Sequence, residues 1–121
     1  FLNSVRAFPD RPALAIQDAT WSYRDLFQRA AAVAVTMDAH SAVRPGRLTG
    51  VFGHRSVAAF SGVLGALLRG DGYVPLNPAF PAERNRSMAE RAELDWIVAE
   101  AASLGQLGEM LEGMENTVSV L

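Results

Sequence analysis

From residue 48 onward the chain alternates short apolar runs with segments of helix length, and that alternation leaves few folds open to it. Leu48 to Phe52, Tyr73 to Leu76, Trp96 to Ala99 and Thr117 to Leu121 have the length and apolar character of strands. Between them, Ser56 can cap a helix running to about Arg69, Pro81 suits the first turn of a helix through Ala92, and Ala101 to Leu111 reads as another helix. Successive strands separated by helices pair in parallel, and a parallel sheet needs helices over both faces. The expected fold is therefore α/β, a mostly parallel, flavodoxin- or Rossmann-like sheet in three layers.

A short β-hairpin is expected ahead of that sheet. Ala13 to Gln17 and Thr20 to Tyr23 carry strand patterns around Asp18 and Ala19. Ser22 with Asp25 three residues on makes a capping box. Leu26, Ala30, Val33, Ala34 and Met37 then recur at helical spacing, giving a helix that ends near His40. Arg44, Pro45 and Gly46 form a turn into the next strand. No linker, repeat or low-complexity tract interrupts the sequence, so residues 1–121 read as a single unit.

In the helix after Ser56, Val57, Phe60, Leu64, Leu67 and Leu68 make one wide apolar face. Gly62 and Gly65 each cost helix propensity of about 1 kcal/mol relative to alanine, which suggests close packing against a neighbour. The tripeptide Arg69, Gly70, Asp71 is known as a cell-adhesion sequence, but its surroundings make it a joint. Arg69 suits the negative end of the helix dipole, Gly70 a left-handed cap, and Asp71 with Gly72 the turn into the strand at Tyr73. Tyr73 and Val74 are expected in the core, and Trp21 and Trp96 in packing.

Several kinds of chemistry are excluded by residue type. With no cysteine there is no disulfide, zinc–thiolate site or thiol nucleophile in these residues. All 11 basic residues are arginine, so Schiff-base chemistry and a Walker-type phosphate lysine are absent too. Positive and negative charges are interspersed, unlike the basic stripe of a nucleic-acid binder, and no apolar run approaches the roughly 20 residues that span a bilayer. A cytoplasmic location is the default. Gly50 to Ser56 leads from strand to helix but lacks the glycine spacing of a dinucleotide turn. His54 and Arg55 there are read as capping or surface residues, and His40 as a partner of a helix C-terminus. The charges from Glu83 to Glu93 are read as a solvated, ion-paired helix face.

Two stretches carry a family resemblance. "WSYRDL" (Trp21 to Leu26) and "LLRGDGYVPLNPAFPAERNRSM" (Leu67 to Met88) resemble the first two core motifs of adenylate-forming enzymes, specifically the amino-acid adenylation domains of nonribosomal peptide synthetases. "FPDRPALAI", "VRPGRLTGVFGHRS" and "LDWIVAE" around them look like the same N-terminal subdomain, so the resemblance runs through essentially the whole chain. It departs from pattern at Asn77, where the family usually has Asp, and at Asp71, where the family prefers something small.

The resemblance implies that a carboxylic acid, here an amino acid, is activated by ATP with Mg²⁺ to an acyl adenylate. The acyl group then passes to the phosphopantetheine thiol of a carrier protein. It implies as well that the phosphate loop, the substrate pocket and the catalytic lysine lie beyond the matching region. Residues 1–121 then hold no catalytic or metal-binding residue, need the rest of the adenylation domain as partner, and are expected to be inactive alone. By resemblance to relatives that use coenzyme A, Asn77, Pro78 and Ala79 would border the tunnel taken by the pantetheine arm, with turn formation as the simpler alternative. An acyl- or aryl-CoA synthetase of the same superfamily, and a catalytically silent flavodoxin-like interaction domain, remain open.

Overall fold

The computed structural model describes residues 1–41 and 47–121, so the turn expected at Arg44 to Gly46 lies outside the described residues. The chain begins with a short helix the sequence pattern does not announce, α1 (Leu2–Ala7), which has no side-chain cap and buries no residue. The hairpin follows: β1 (Pro12–Ile16) and β2 (Ala19–Ser22) are antiparallel, with Ile16 opposite Ala19. The two residues between them make the turn, and Gln17 takes a left-handed φ of 53°.

Ser22 ends the hairpin and starts α2 (Tyr23–His40). Its hydroxyl accepts the Asp25 N–H, and the Asp25 carboxylate accepts the Ser22 N–H at 3.0 Å, so the expected capping box is formed. Hydrogen bonds from Ser22 hold the Asp25 carboxyl below the usual carboxylate range. Removing the hydroxyl in Ser22→Ala should cost about 1 kcal/mol, read as a lower urea midpoint with an unchanged m-value. Leu26, Ala30, Ala34 and Met37 form the buried stripe of this helix.

Four parallel strands make the main sheet: β3 (Leu48–Phe52), β4 (Gly72–Leu76), β5 (Trp96–Ala99) and β6 (Ser119–Val120), in spatial order β4-β3-β5-β6. The connecting helices are α3 (Val57–Arg69), α4 (Ala82–Arg91) and α5 (Leu104–Leu111). The α/β class, the parallel sheet and the hairpin thus stand as expected. Strand alternation divides the core. Phe52, Leu76 and Ile97 pack with Ala89, Leu94, Leu107 and Met110 on the face of α4 and α5. Trp96 and Val98 pack with Met37 on the opposite face.

The structure corrects several details. Ala101–Ser103 is a 3-10 turn, so α5 starts later than the pattern suggested, and Pro81 caps α4 from outside instead of opening it. The last strand is confined to Ser119 and Val120. Tyr73 is 44% exposed because β4 is an edge strand, while Val74 packs against the core. Trp96 is buried as expected, and Trp21 is half-buried.

The largest correction is the orientation of α3. Its buried residues are Ser61, Gly62, Gly65, Ala66 and Arg69, whereas Phe60 and Leu67, expected on the inner face, are 43% and 52% exposed. The small residues face inward because α3 is pressed between α2 and the sheet. A Cβ added at Gly65 would lie 2.7 Å from Val33 Cγ1, and one at Gly62 would lie 3.0 Å from Val98 Cγ1. The close packing expected of these glycines is present, and it leaves the bulky residues outside.

Candidate functional site

In an open parallel sheet, ligands bind outside the carboxyl ends of the strands where the connections reverse direction. Here the chain passes from β3 to β4 on one side and then to β5 on the other, so the reversal lies between the ends of β3 and β5. Phe52, Gly53 and His54 meet Ala99 and Glu100 at this point, and Ser56 caps α3 beside them.

That position is filled by Glu100. Its Oε1 accepts the His54 N–H at 3.1 Å and the Ser103 hydroxyl at 2.9 Å, and the Ser56 side chain hydrogen-bonds it too. Partial burial opposes ionisation of this carboxyl, but the hydrogen bonds from Ser56, Ser103 and the His54 N–H outweigh it and hold Glu100 below the usual carboxylate range. A folded-state value below the unfolded one gives stability that is present above the unfolded value. It is lost as pH falls through the folded value. His54 and Arg55 are exposed in the β3–α3 loop, the surface half of the reading, while the cap of α3 is Ser56; Arg55 is in a left-handed conformation at φ 48°.

The turn after β4 is the second feature of this edge. Asn77 Oδ1 accepts the Ala79 N–H at 2.9 Å, an Asx turn, and the Asn77 carbonyl accepts from Phe80 N–H at 3.0 Å. Asn85, buried on α4, donates its Nδ2 to the same carbonyl at 2.8 Å, so the turn is held from beneath. Sequence reasoning missed Asn85, although a polar residue on the inner face of a short helix is the signal that would have found it. Pro78 and Ala79 border a hollow of about 270 Å³ shared with Phe52, Asn85, Gln106 and Glu109. Asn77, Pro78 and Ala79 are thus a built turn beside a cavity.

The charged residues of α4 sort onto different sides. Arg86 donates to the carbonyls of Met110 and Glu109 at 2.9 and 3.0 Å, closing the C-terminus of α5. Glu90 accepts the Glu115 N–H. Among the described residues no ion pair links two side chains of this helix, which corrects the ion-paired face the sequence suggested.

At the opposite, amino end of the sheet lies the residue that departs from the motif. Asp71 is buried, and its Oδ2 accepts the Arg69 Nη1–H at 2.7 Å and the Thr49 hydroxyl at 3.2 Å. Its Oδ1 accepts the Arg47 N–H at 3.3 Å. Arg69 also donates through Nε to Asp38 of α2 at 2.6 Å. The tripeptide is therefore a buried ionic joint between two helices and two strands, and Gly70 supplies its left-handed cap at φ 89°.

Among the described residues no group of three or more His, Cys, Asp or Glu side chains is placed to hold a metal ion. Among the described residues no helix is long and apolar enough to cross a membrane.

Comparison with known proteins follows the same lines. The model of the AMP-binding enzyme family matches residues 1–120. Bacitracin synthase 1 of Bacillus licheniformis is 41% identical over 99 residues, which is 82% of this chain and 2% of that protein. Indigoidine synthase of Dickeya dadantii (strain 3937) is 36% identical over 98 residues, 81% of this chain and 6% of that protein. Among solved structures, IdnL7 superposes with a TM-score of 0.85 at 30% identity, covering 99% of this chain and 26% of that one. A four-domain nonribosomal peptide synthetase, holo-AB3403 bound to AMP and glycine, gives 0.78 at 31% identity, over 99% of this chain and 8% of its own. The chain spans a small fraction of each of these proteins.

Proposed function

Since the chain belongs to the AMP-binding enzyme family, we propose that it is the opening part of the N-terminal subdomain of an amino-acid adenylation domain. In the full-length enzyme the amino-acid carboxylate attacks the α-phosphorus of ATP. Pyrophosphate leaves, and an aminoacyl adenylate forms. The thiol of a carrier protein's phosphopantetheine then attacks the acyl carbon, releasing AMP and leaving a thioester. The family match over nearly the whole length carries this reading. The likeness to a nonribosomal peptide synthetase bound to AMP and glycine favours an amino acid as substrate, and a carrier as acceptor goes with that reading.

In this reading the groups that hold ATP and Mg²⁺ belong to the rest of the adenylation domain, and the reversal point of this sheet is taken by Glu100. Charge that builds on the phosphate must be met by groups elsewhere in the enzyme. This chain contributes scaffold, and with the outward Phe60 and Leu67 of α3 it offers apolar surface of the kind further parts of an enzyme cover. The pantetheine arm alternates amides with methylenes, and the hollow beside Asn77, Pro78 and Ala79 combines Phe52 with the amides of Asn85 and Gln106. We assign the arm's path to that hollow, with Asn77 setting the turn and Pro78 and Ala79 forming the wall.

The test is amino-acid-dependent ATP–pyrophosphate exchange by the full-length enzyme over a panel of amino acids, followed by loading of a holo-carrier or of coenzyme A. Exchange followed by carrier loading is expected, and residues 1–121 alone should give none. Absence of exchange with every carboxylic acid would remove the enzymatic reading, and loading of coenzyme A in preference to a carrier would move the enzyme to the CoA-ligase branch.

A further inference from the structure

The reversal point between β3 and β5 is where a sheet of this strand order would take an anionic ligand, and a carboxylate already sits in it. The groups around that carboxylate come from three places in the chain. The His54 N–H comes from the end of β3, the Ser56 side chain from the start of α3, and the Ser103 hydroxyl from the 3-10 turn after β5. All present donors toward one point. Gly53 closes the remaining side: a Cβ added there would lie 3.2 Å from Glu100 Cδ and 3.3 Å from Ala59 Cβ, so glycine is what lets the carboxylate reach the cradle. The Glu100 N–H meanwhile donates to the Phe52 carbonyl at 3.2 Å, which anchors the residue to the neighbouring strand.

We infer that Glu100 is a tethered anion that occupies the phosphate position of this sheet, both excluding nucleotide phosphates from it and fixing the His54–Ser56 loop. A free phosphate and a carboxylate ask for the same things, namely convergent N–H and O–H donors at a helix N-terminus. When Glu100 supplies the negative charge, a second anion entering the cradle meets like-charge repulsion and finds the donors taken. The inference goes beyond the adenylation reading. It concerns the reversal point between β3 and β5, and not the hollow beside Pro78 and Ala79 that the proposed pantetheine path uses.

The titratable and charged neighbours that bear on a pH test are His54 from the loop and, with hydroxyls only, Ser56 from α3 and Ser103 from the 3-10 turn. The experiment is amide hydrogen exchange over residues 53–60 of the full-length enzyme, for wild type, Glu100→Ala and Glu100→Gln. In Glu100→Ala, loss of charge-assisted hydrogen bonds should speed exchange of this segment by about tenfold or more. Added inorganic phosphate or acetate, at ionic strength matched with chloride, should restore protection in this variant and leave the wild-type segment unchanged. Failure of both anions to restore protection in Glu100→Ala, or equal phosphate protection of the wild-type segment, overturns the inference. If the alanine variant does not fold, Glu100→Gln decides. Wild type should lose protection as pH falls below the carboxylate range while the glutamine variant stays flat, and an identical acid limb in both overturns the assignment.

Discussion

Asp71→Ala should lower the unfolding free energy by about 3 kcal/mol, read as a fall in the urea midpoint at constant m-value. The residue is an acid where its motif prefers something small, so a consensus argument predicts the opposite sign. Geometry decides between them. Removing the carboxylate strips Arg69 of one buried partner and leaves the Thr49 hydroxyl without the acceptor it has at 3.2 Å. The arginine side chain is 3% exposed, so water cannot replace what is lost. Its second partner, Asp38, has a side chain 59% exposed and lies on another helix, which limits how far it can compensate. Arg69→Met should be costly for the mirror reason, since it leaves Asp71 buried with its arginine partner gone. The double variant Arg69→Met with Asp71→Ala should then cost less than the sum of the single changes, because a paired charge deleted as a unit leaves no buried charge facing an empty place. Strict additivity in that cycle would show that the two side chains do not act as a pair.

Gly65→Ala and Gly108→Ala should move stability in opposite directions. Helix propensity favours alanine at both, by up to about 1 kcal/mol. At Gly108, on α5, nothing lies within 4 Å of the added methyl, so the gain should appear nearly whole. At Gly65 the methyl would lie 2.8 Å from Val33 Cβ and 2.9 Å from the Ala30 carbonyl oxygen, and the carbonyl is backbone that cannot turn aside. The contact between α2 and α3 must open, and overpacking of this kind costs about 1 to 3 kcal/mol. Thermal unfolding of the two variants beside wild type gives the comparison. A stabilised Gly65→Ala would mean that the helices are not in the close contact described above.

The contrast between these glycines shows what a sequence makes readable. Periodicity and turn chemistry located the hairpin, the Ser22 box, strands β3, β4 and β5 and the cap at Ser56, since each depends on residues near one another in the chain. The inward face of α3 was not readable, because two different sets of residues recur at helical spacing along it. Apolar bulk favours the larger set as the core, but the distance available between α2 and the sheet selects the smaller. Helix α1 escaped for a simpler reason, having neither a cap nor a buried stripe. At the site, Asn77 to Ala79 could be named from their motif, whereas Asn85 and Glu100 could not. Each acts on a segment distant in sequence, Asn85 on the carbonyl of Asn77 and Glu100 on the N–H of His54, and only the fold brings them together. Asp71 was visible as an anomaly, yet its explanation needed Arg69 to be turned inward.

The edge position of β4 has a consequence for how the molecule meets other chains. An edge strand offers unpaired backbone groups to any extended peptide in solution, which is how sheets recruit strands and how they aggregate. On β4 that ladder is broken at Pro75, which has no N–H to give, and Pro75 and Tyr73 stand exposed there. β6, at the other edge, is two residues long and contains no proline. The sheet is therefore asymmetric as a template. A strand arriving beside β4 meets a missing donor midway, while one arriving beside β6 meets no such gap.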